Sequence, residues 1–310
     1  MADFLSYTGT VGIQVIILFL MIGVGFIISK KGLLTSDGAA QMTNLLLYIV
    51  TPCVIISSFE SMEFNSQSAG ELLIAAGCAV ATHVIGFVLG LLIFRKSEKK
   101  DKVTLVCSSA LSNCGFMGIP MAEALVGGHG VFLTSVYIAV FNLFVWIIGY
   151  MMFTGGKLNL KKAIINPGVI GILVGLVLFF TNINLPYPIS SAVKYFAGVN
   201  SPLAMVVIGF HLATVPLKFQ KGDGKMFISI ALRLFAVPLI CLAIFRGCGI
   251  RGELLESCII PAAAPSAAIV MMFAAKFDGS TKLASKGMSF SHILSIIAMP
   301  LTLTICRLFI

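Results

Sequence analysis

Asn113 and Ser266 are polar side chains placed where two long apolar runs are interrupted by helix-breaking residues. The first interruption reads Ser112-Asn113-Cys114-Gly115-Phe116-Met117-Gly118-Ile119-Pro120, within the apolar run Val103–Val126. The second reads Pro261-Ala262-Ala263-Ala264-Pro265-Ser266-Ala267, within Leu254–Phe277. Proline removes a helix hydrogen bond and clashes with the carbonyl four residues back, and glycine loosens the same turn. The first run is therefore expected to break and to resume after Pro120, a residue suited to a first helical position. The second is expected to break at its two prolines. A resumed half-helix presents free N–H groups and the positive end of its dipole, a setting that favours an anion. Irregular backbone at bilayer depth survives only where protein or a wet cavity covers it. The expected substrate-binding residues are Asn113, Cys114, Gly115, Phe116, Gly118 and Pro120 from the first break, with Pro265, Ser266 and Ala267 from the second. The alternative is that the prolines merely kink packed helices; their recurrence at related positions favours a site.

Other polar residues inside apolar runs are candidates for supporting or coupling roles. Arg233 lies seven residues into the run Met226–Phe245, close enough to its end to snorkel to headgroups. Its other readings are a counter-charge for an anionic substrate or a tether within the protein. His83 is near the middle of Leu72–Phe94, where it suits a proton relay or a hydrogen bond across helices. His292 shares a helical face with Ser285, Ser289 and Ser295, a polar stripe of the kind that joins helices. His211 and Asn142 have the same standing, and Asn44 is placed to face the site. Glu123, three residues after Pro120, is expected to complement the dipole of the resumed half-helix. No catalytic residue, metal-ligand set or cofactor motif is assigned. The eight cysteines form no CxxC pair or His/Cys cluster and lie almost entirely in apolar runs, as packing thiols do.

These residues are carried by a chain that is 58% apolar and 11% charged over 310 residues, with mean hydropathy +1.05. Soluble domains carry roughly 25% charged residues, so this composition indicates an integral membrane protein. The apolar runs read as ten spans: Val11–Ser29, Ala39–Phe59, Leu72–Phe94, Val103–Val126, Val131–Phe153, Ala163–Phe180, Ser191–Val215, Met226–Phe245, Leu254–Phe277 and Met288–Phe309. Met1–Thr10 carries no Lys or Arg, whereas Lys30-Lys31 follow the first run, the reverse of a secretory signal. Of the 21 Lys and Arg residues, 16 fall in loops after odd-numbered spans and 4 on the opposite side, with Arg233 inside a span. This bias places the odd-numbered loops in the cytoplasm and both termini outside. It also accounts for the net charge of +9 without nucleic acid as a partner.

The halves of the chain resemble one another. Pro52 and Pro202, Gly25 and Gly175, and His83 and Arg233 are each 150 residues apart, and Pro120 and Pro265 are 145 apart. A repeat of five spans, residues 1–153 and 154–310, must invert between copies. Inverted repeats with corresponding broken helices point to a secondary transporter with its site at the midplane.

The stretch Asn113-Cys114-Gly115-Phe116-Met117-Gly118-Ile119-Pro120 resembles the N-x-G-F-x-G-x-P signature of the auxin efflux carrier family, which includes bacterial malate and malonate permeases and plant PIN proteins. The likeness continues through Asn166-Pro167, Ser201-Pro202-Leu203-Ala204, Gly209, Leu212-Ala213, Arg233 with Pro238, Pro265 with Phe273-Ala274, and Pro300. The resemblance implies an all-α membrane protein of ten helices in two inverted repeats, with crossed broken helices 4 and 9, akin to bile-acid symporters and the NhaA antiporter. Spans 1, 2, 6 and 7 would form a scaffold, and spans 3–5 and 8–10 a transport domain that moves like an elevator. The implied substrate is a small organic anion, an auxin-like monocarboxylate or a malate- or malonate-like dicarboxylate, carried across the cell membrane. A homodimer is also implied, though no motif bears on it. Either H+ or Na+ is open as coupling ion; span 9 offers only Ser266 where sodium-coupled relatives place acidic and amide side chains. The competing readings are a sodium-coupled bile-acid-type symporter, an intramembrane enzyme, and a receptor or channel. The enzyme reading lacks HExxH and lacks paired aspartates within spans.

Overall fold

The structure, a computed structural model, describes residues 2–156, 167–215, 220, 223–277 and 279–309, with residues 2–8 as helix backbone alone. Its helices are α1 (Ala2–Lys30), α2 (Ser36–Glu60), α3 (Ser66–Ile93), α4 (Lys99–Ala110), α5 (Cys114–Leu125) and α6 (Gly128–Thr154). They continue as α7 (Pro167–Thr181), α8 (Tyr187–Thr214, bent at Val199), α9 (Gly224–Gly247), α10 (Gly252–Ala263), α11 (Ala268–Lys276) and α12 (Thr281–Arg307). Seven of these, α1, α2, α3, α6, α8, α9 and α12, are long and apolar enough to cross a membrane; α5 and α7 are shorter apolar helices. No strand is present among the described residues. Lys157, Lys161, Lys162, Lys218 and Lys221, the first residues of the run expected at Ala163–Phe180, and Asn166 lie outside the described residues.

Local sequence sets the helix starts. Asn65 opens α3 with a reciprocal cap, accepting from the Ser68 N–H (2.9 Å) while Ser68 Oγ accepts from the Asn65 N–H (3.0 Å). Thr35 caps α2 through the Gly38 N–H, and Pro167 opens α7.

Three of the prolines that sit inside helices each follow a turn widened by one residue. The N–H groups of Thr51, Ile119 and Val237 reach back five residues to the carbonyls of Leu46, Cys114 and Leu232, one residue before Pro52, Pro120 and Pro238. The extra residue shifts the carbonyl that the pyrrolidine ring would otherwise strike.

This corrects the expectation for Pro120. The helix resumes at Cys114, and Pro120 lies inside α5. Pro261 likewise lies inside α10, and the second break covers only Ala264–Ala267. Pro120 therefore lies past its break and Pro265 within its own, so the two prolines do not occupy equivalent places in the two interrupted runs. Glu123 is near the end of α5, not in its first turn.

Packing groups the helices. α1 lies along the second half of α8, and α7 lies along α2. At the first crossing, a Cβ on Gly209 would sit 2.8 Å from Gly25 Cα and 2.7 Å from the Phe26 nitrogen, so only glycine admits this approach. α3 packs on α4 and α6, and α10 packs on α6, α9 and α12. Ile13, Ile16, Leu20, Val24 and Ile27 remain exposed along α1, an apolar stripe of the kind that lipid solvates. All eight cysteines are free, and Cys248 is exposed in the α9–α10 connection.

Candidate functional site

The two interruptions meet. Asn113 N donates to the Pro265 carbonyl (2.7 Å) and Ala267 N donates to the Leu111 carbonyl (3.0 Å). They bracket an antiparallel bridge between Ser112 and Ser266. Each break thus satisfies the other's backbone in a buried setting, where an unpaired N–H or C=O is expensive. Ser266 is committed as well: its hydroxyl donates to the Ser108 carbonyl (2.8 Å) and its N–H to Ser291 Oγ (3.2 Å). Ser266 and the Ala267 N–H therefore spend their donors on holding the crossover together, while Ala267 itself lines the cavity beside it.

The amides left for a ligand are one residue further on. The first-turn N–H groups of α5 and α11 have no intrahelical acceptor. They belong to Cys114, Gly115 and Phe116 on one side and Ala268 and Ile269 on the other, and all five line a cavity of about 80 Å³. Asn113 lines it too and is 6% exposed. Its amide nitrogen donates to His292 Nε2 (3.0 Å), while His292 Nδ1 bonds the Met288 carbonyl (2.8 Å), a pairing that places the imidazole proton on Nδ1. α2 contributes Thr43, Leu47 and Thr51, and α6 contributes Ile138, Phe141 and Asn142. Asn142 Nδ2 is tied to the Ile138 carbonyl at 2.9 Å.

A wider vestibule of about 260 Å³ adjoins this cavity through Thr43, Phe116, Ala268 and Met272 and reaches the start of α2 at Ser36. Asn44 and His211 line it. On the other side of the crossover lies a separate cleft of about 280 Å³, bounded by Ile119 and Glu123 of α5 and by Ser57, Ser61, Lys194 and Ser201. Asn200 Nδ2 donates to the Gly115 carbonyl (3.3 Å) and so links α8 to the crossover.

The remaining expected residues are placed apart from the cavity. Gly118 packs against Pro261 of α10, with 3.4 Å between its would-be Cβ and Pro261 Cα. Pro120 is buried in α5, and Pro265 supplies a carbonyl to the bridge. His83 does not bond across helices. Its Nδ1 meets the Ala79 carbonyl of its own helix (2.7 Å), and the ring stacks on Phe144 (4.8 Å).

Arg233 does not snorkel. It is completely buried and donates to the carbonyls of Ala110 (2.9 Å), Ser109 (3.5 Å) and Ala262. Sequence reasoning missed Thr43, Thr51 and Asn200. The spacing of Thr43, Leu47 and Thr51, four residues each, places them on one face of α2 and was the available signal.

A family model described as membrane transport protein matches residues 10–160 and 155–303. An uncharacterised transporter of Methanothermobacter thermautotrophicus is 25% identical over 304 residues, covering 96% of this chain and 98% of that protein. One from Methanocaldococcus jannaschii is 24% identical over 305 residues, covering 93% and 96%. Auxin efflux carrier component 7 of Arabidopsis thaliana is 27% identical over 147 residues, which span 46% of this chain and 23% of the plant protein.

Proposed function

We propose a function from one premise: this chain belongs to the auxin efflux carrier family of membrane transport proteins, and it is a multi-pass membrane transporter. In our reading its cargo is a small organic anion bound at the α5/α11 crossover, with the carboxylate against the first-turn amides of both half-helices and the side chain of Asn113. The observation that carries this reading is the bridge between the breaks, with a cavity beside the two helix N-termini it orients.

The cavity walls favour one class of anion. Among the described residues no Lys or Arg lines either the cavity or its vestibule, so a second carboxylate would lack a counter-charge. About 80 Å³ accommodates a carboxylate head, since a single water needs roughly 10–15 Å³ of such a cavity. An apolar body would extend past Phe116 into the vestibule, whose walls include Val207, Phe210, Met271 and Met272. A monocarboxylate with an apolar or aromatic body, the chemistry of auxin, fits better than malate or malonate.

Access alternates in this reading. α1, α2, α7 and α8 act as a scaffold, and α3–α6 with α9–α12 carry the crossover between the vestibule and the opposite cleft. The mutual packing of α1 with α8 and of α7 with α2 suits two inverted five-span repeats. The charge bias of the loops supports a cytoplasmic vestibule with both termini outside.

Uptake of radiolabelled indole-acetate, malate and malonate into proteoliposomes tests the assignment. Saturable uptake of the aromatic monocarboxylate is expected. Absence of uptake of any carboxylate, under both proton and sodium gradients, would overturn the reading.

A further inference from the structure

The geometry points to Arg233 as a positioning residue: its guanidinium locks the C-terminal ends of α4 and α10 together behind the crossover and so holds the two breaks in register. The inference rests on the reading of the crossover as the substrate site, which the lock would keep in shape.

Arg233 belongs to neither interrupted run, yet one planar fork serves both. Nη1 donates to Ala110, the last residue of α4, and Nη2 donates to Ala262, one residue before the end of α10. The carbonyls at a helix end have no intrahelical donor, and Arg233 meets them fully buried, at 0% exposure. Among the described residues no carboxylate pairs with Arg233. Its charge is instead met by the two helix ends, each carrying about half a negative charge. Two such ends balance one guanidinium, while the positive N-terminal ends of α5 and α11 stay uncompensated on the cavity side.

The surrounding chain aims the fork. The turn Leu232–Ala236 of α9 is widened by one residue ahead of Pro238. Pro238 has no N–H for the Leu234 carbonyl, and Thr302 Oγ1 of α12 donates there instead (3.2 Å). Ser229 Oγ adds a bond from α9 to the Leu105 carbonyl of α4 (3.0 Å). Lysine keeps the charge but has no rigid planar fork with which to bridge two carbonyls.

Hydrogen–deuterium exchange of the purified full chain, followed by mass spectrometry of peptides spanning 105–120 and 259–272, tests the lock without a substrate. In the wild-type protein the amides of Asn113 and Ala267 should exchange as slowly as those within α6; rapid exchange there would overturn the inference. In Arg233→Gln and Arg233→Lys, exchange should rise at least tenfold in those two peptides and stay at wild-type rates in α1, α2 and α8. A uniform rise, or none, would show a general stabilising role or no role and would equally overturn it. If the Gln variant does not fold, the Lys variant and the wild-type measurement decide.

Proteoliposome uptake of indole-acetate adds a second arm. Both variants should lose at least tenfold in maximal rate, and a folded Lys variant at wild-type rate would overturn the inference. If wild-type protein moves no carboxylate while exchange behaves as expected, the substrate assignment fails and the lock stands.

Discussion

At the scale of single residues, Asn113 carries the most weight, because its backbone N–H joins the bridge while its side chain donates to His292 beside the cavity. A hydrogen bond to a charged group contributes about 1.5–3 kcal/mol. Asn113→Ala should therefore weaken apparent affinity for a carboxylate at least about tenfold while leaving expression intact. Unchanged uptake kinetics would remove Asn113 from the site. Thr302 tests a different point. Thr302→Val keeps the shape but leaves the buried Leu234 carbonyl without the hydroxyl that replaces Pro238's missing N–H. A loss of about 1–3 kcal/mol is expected, read as a lower unfolding temperature in detergent; an unchanged temperature would mean the carbonyl finds another donor. Both residues were visible in the sequence, but only Asn113 stood out, since a threonine in a terminal apolar run has no local sign of its partner 68 residues away.

At the scale of elements, the crossover depends on how closely α3 approaches α4. A Cβ on Gly86 would lie 2.8 Å from Ala110 Cα, at the carbonyl end that Arg233 holds. Gly86→Ala should cost about 1–3 kcal/mol through overpacking and slow transport by shifting the break. Wild-type uptake would show that α3 yields. A second clasp sits at the start of α9, where Asp223 pairs with Lys286 of α12, their side chains 5% and 3% exposed. The Lys286 ammonium bonded to Asp223 holds its carboxyl below the usual value of 3.8. Because the folded-state value is depressed, the pair's stabilisation is complete above that usual value and disappears as pH falls through the lower one. Lys286→Met should accordingly lower the unfolding temperature at pH 7 and cost progressively less as pH falls below 3.8. A loss that does not shrink with falling pH would assign the effect to packing. The prolines make the same point about elements. Local rules marked Pro120 as a breaker, yet it is absorbed by a widened turn, as are Pro52 and Pro238, because neighbouring helices make unbroken spans worth keeping.

At the scale of the whole molecule, the loop charges make a prediction that needs no engineered residue. Cys248 is exposed in the α9–α10 connection, on the side expected to face outward, while six of the other cysteines are buried and Cys53 is partly so. A membrane-impermeant maleimide added to intact cells should label the protein, and Cys248→Ser should abolish the label. Labelling only after permeabilisation would invert the orientation. The cavity and the cleft on either side of the crossover were not legible in the chain. Composition shows that apolar helices pack together but does not show where they leave space.

The sequence by itself determined that this chain lives in a bilayer, where apolar runs must close their own backbone hydrogen bonds, and that two of those runs carry interruptions. It also carried the family signature at Asn113–Pro120, since those residues are adjacent in the chain. Only the tertiary structure decided which donors the crossover uses for itself. Ser266 and Ala267 spend theirs on Ser108, Ser291 and Leu111, partners that lie far off in sequence. The same holds for Arg233, whose position suggested lipid headgroups and whose partners are two helix ends. Hydrogen bonds between distant segments have no periodicity to read, so their allocation appears only when the helices are placed together.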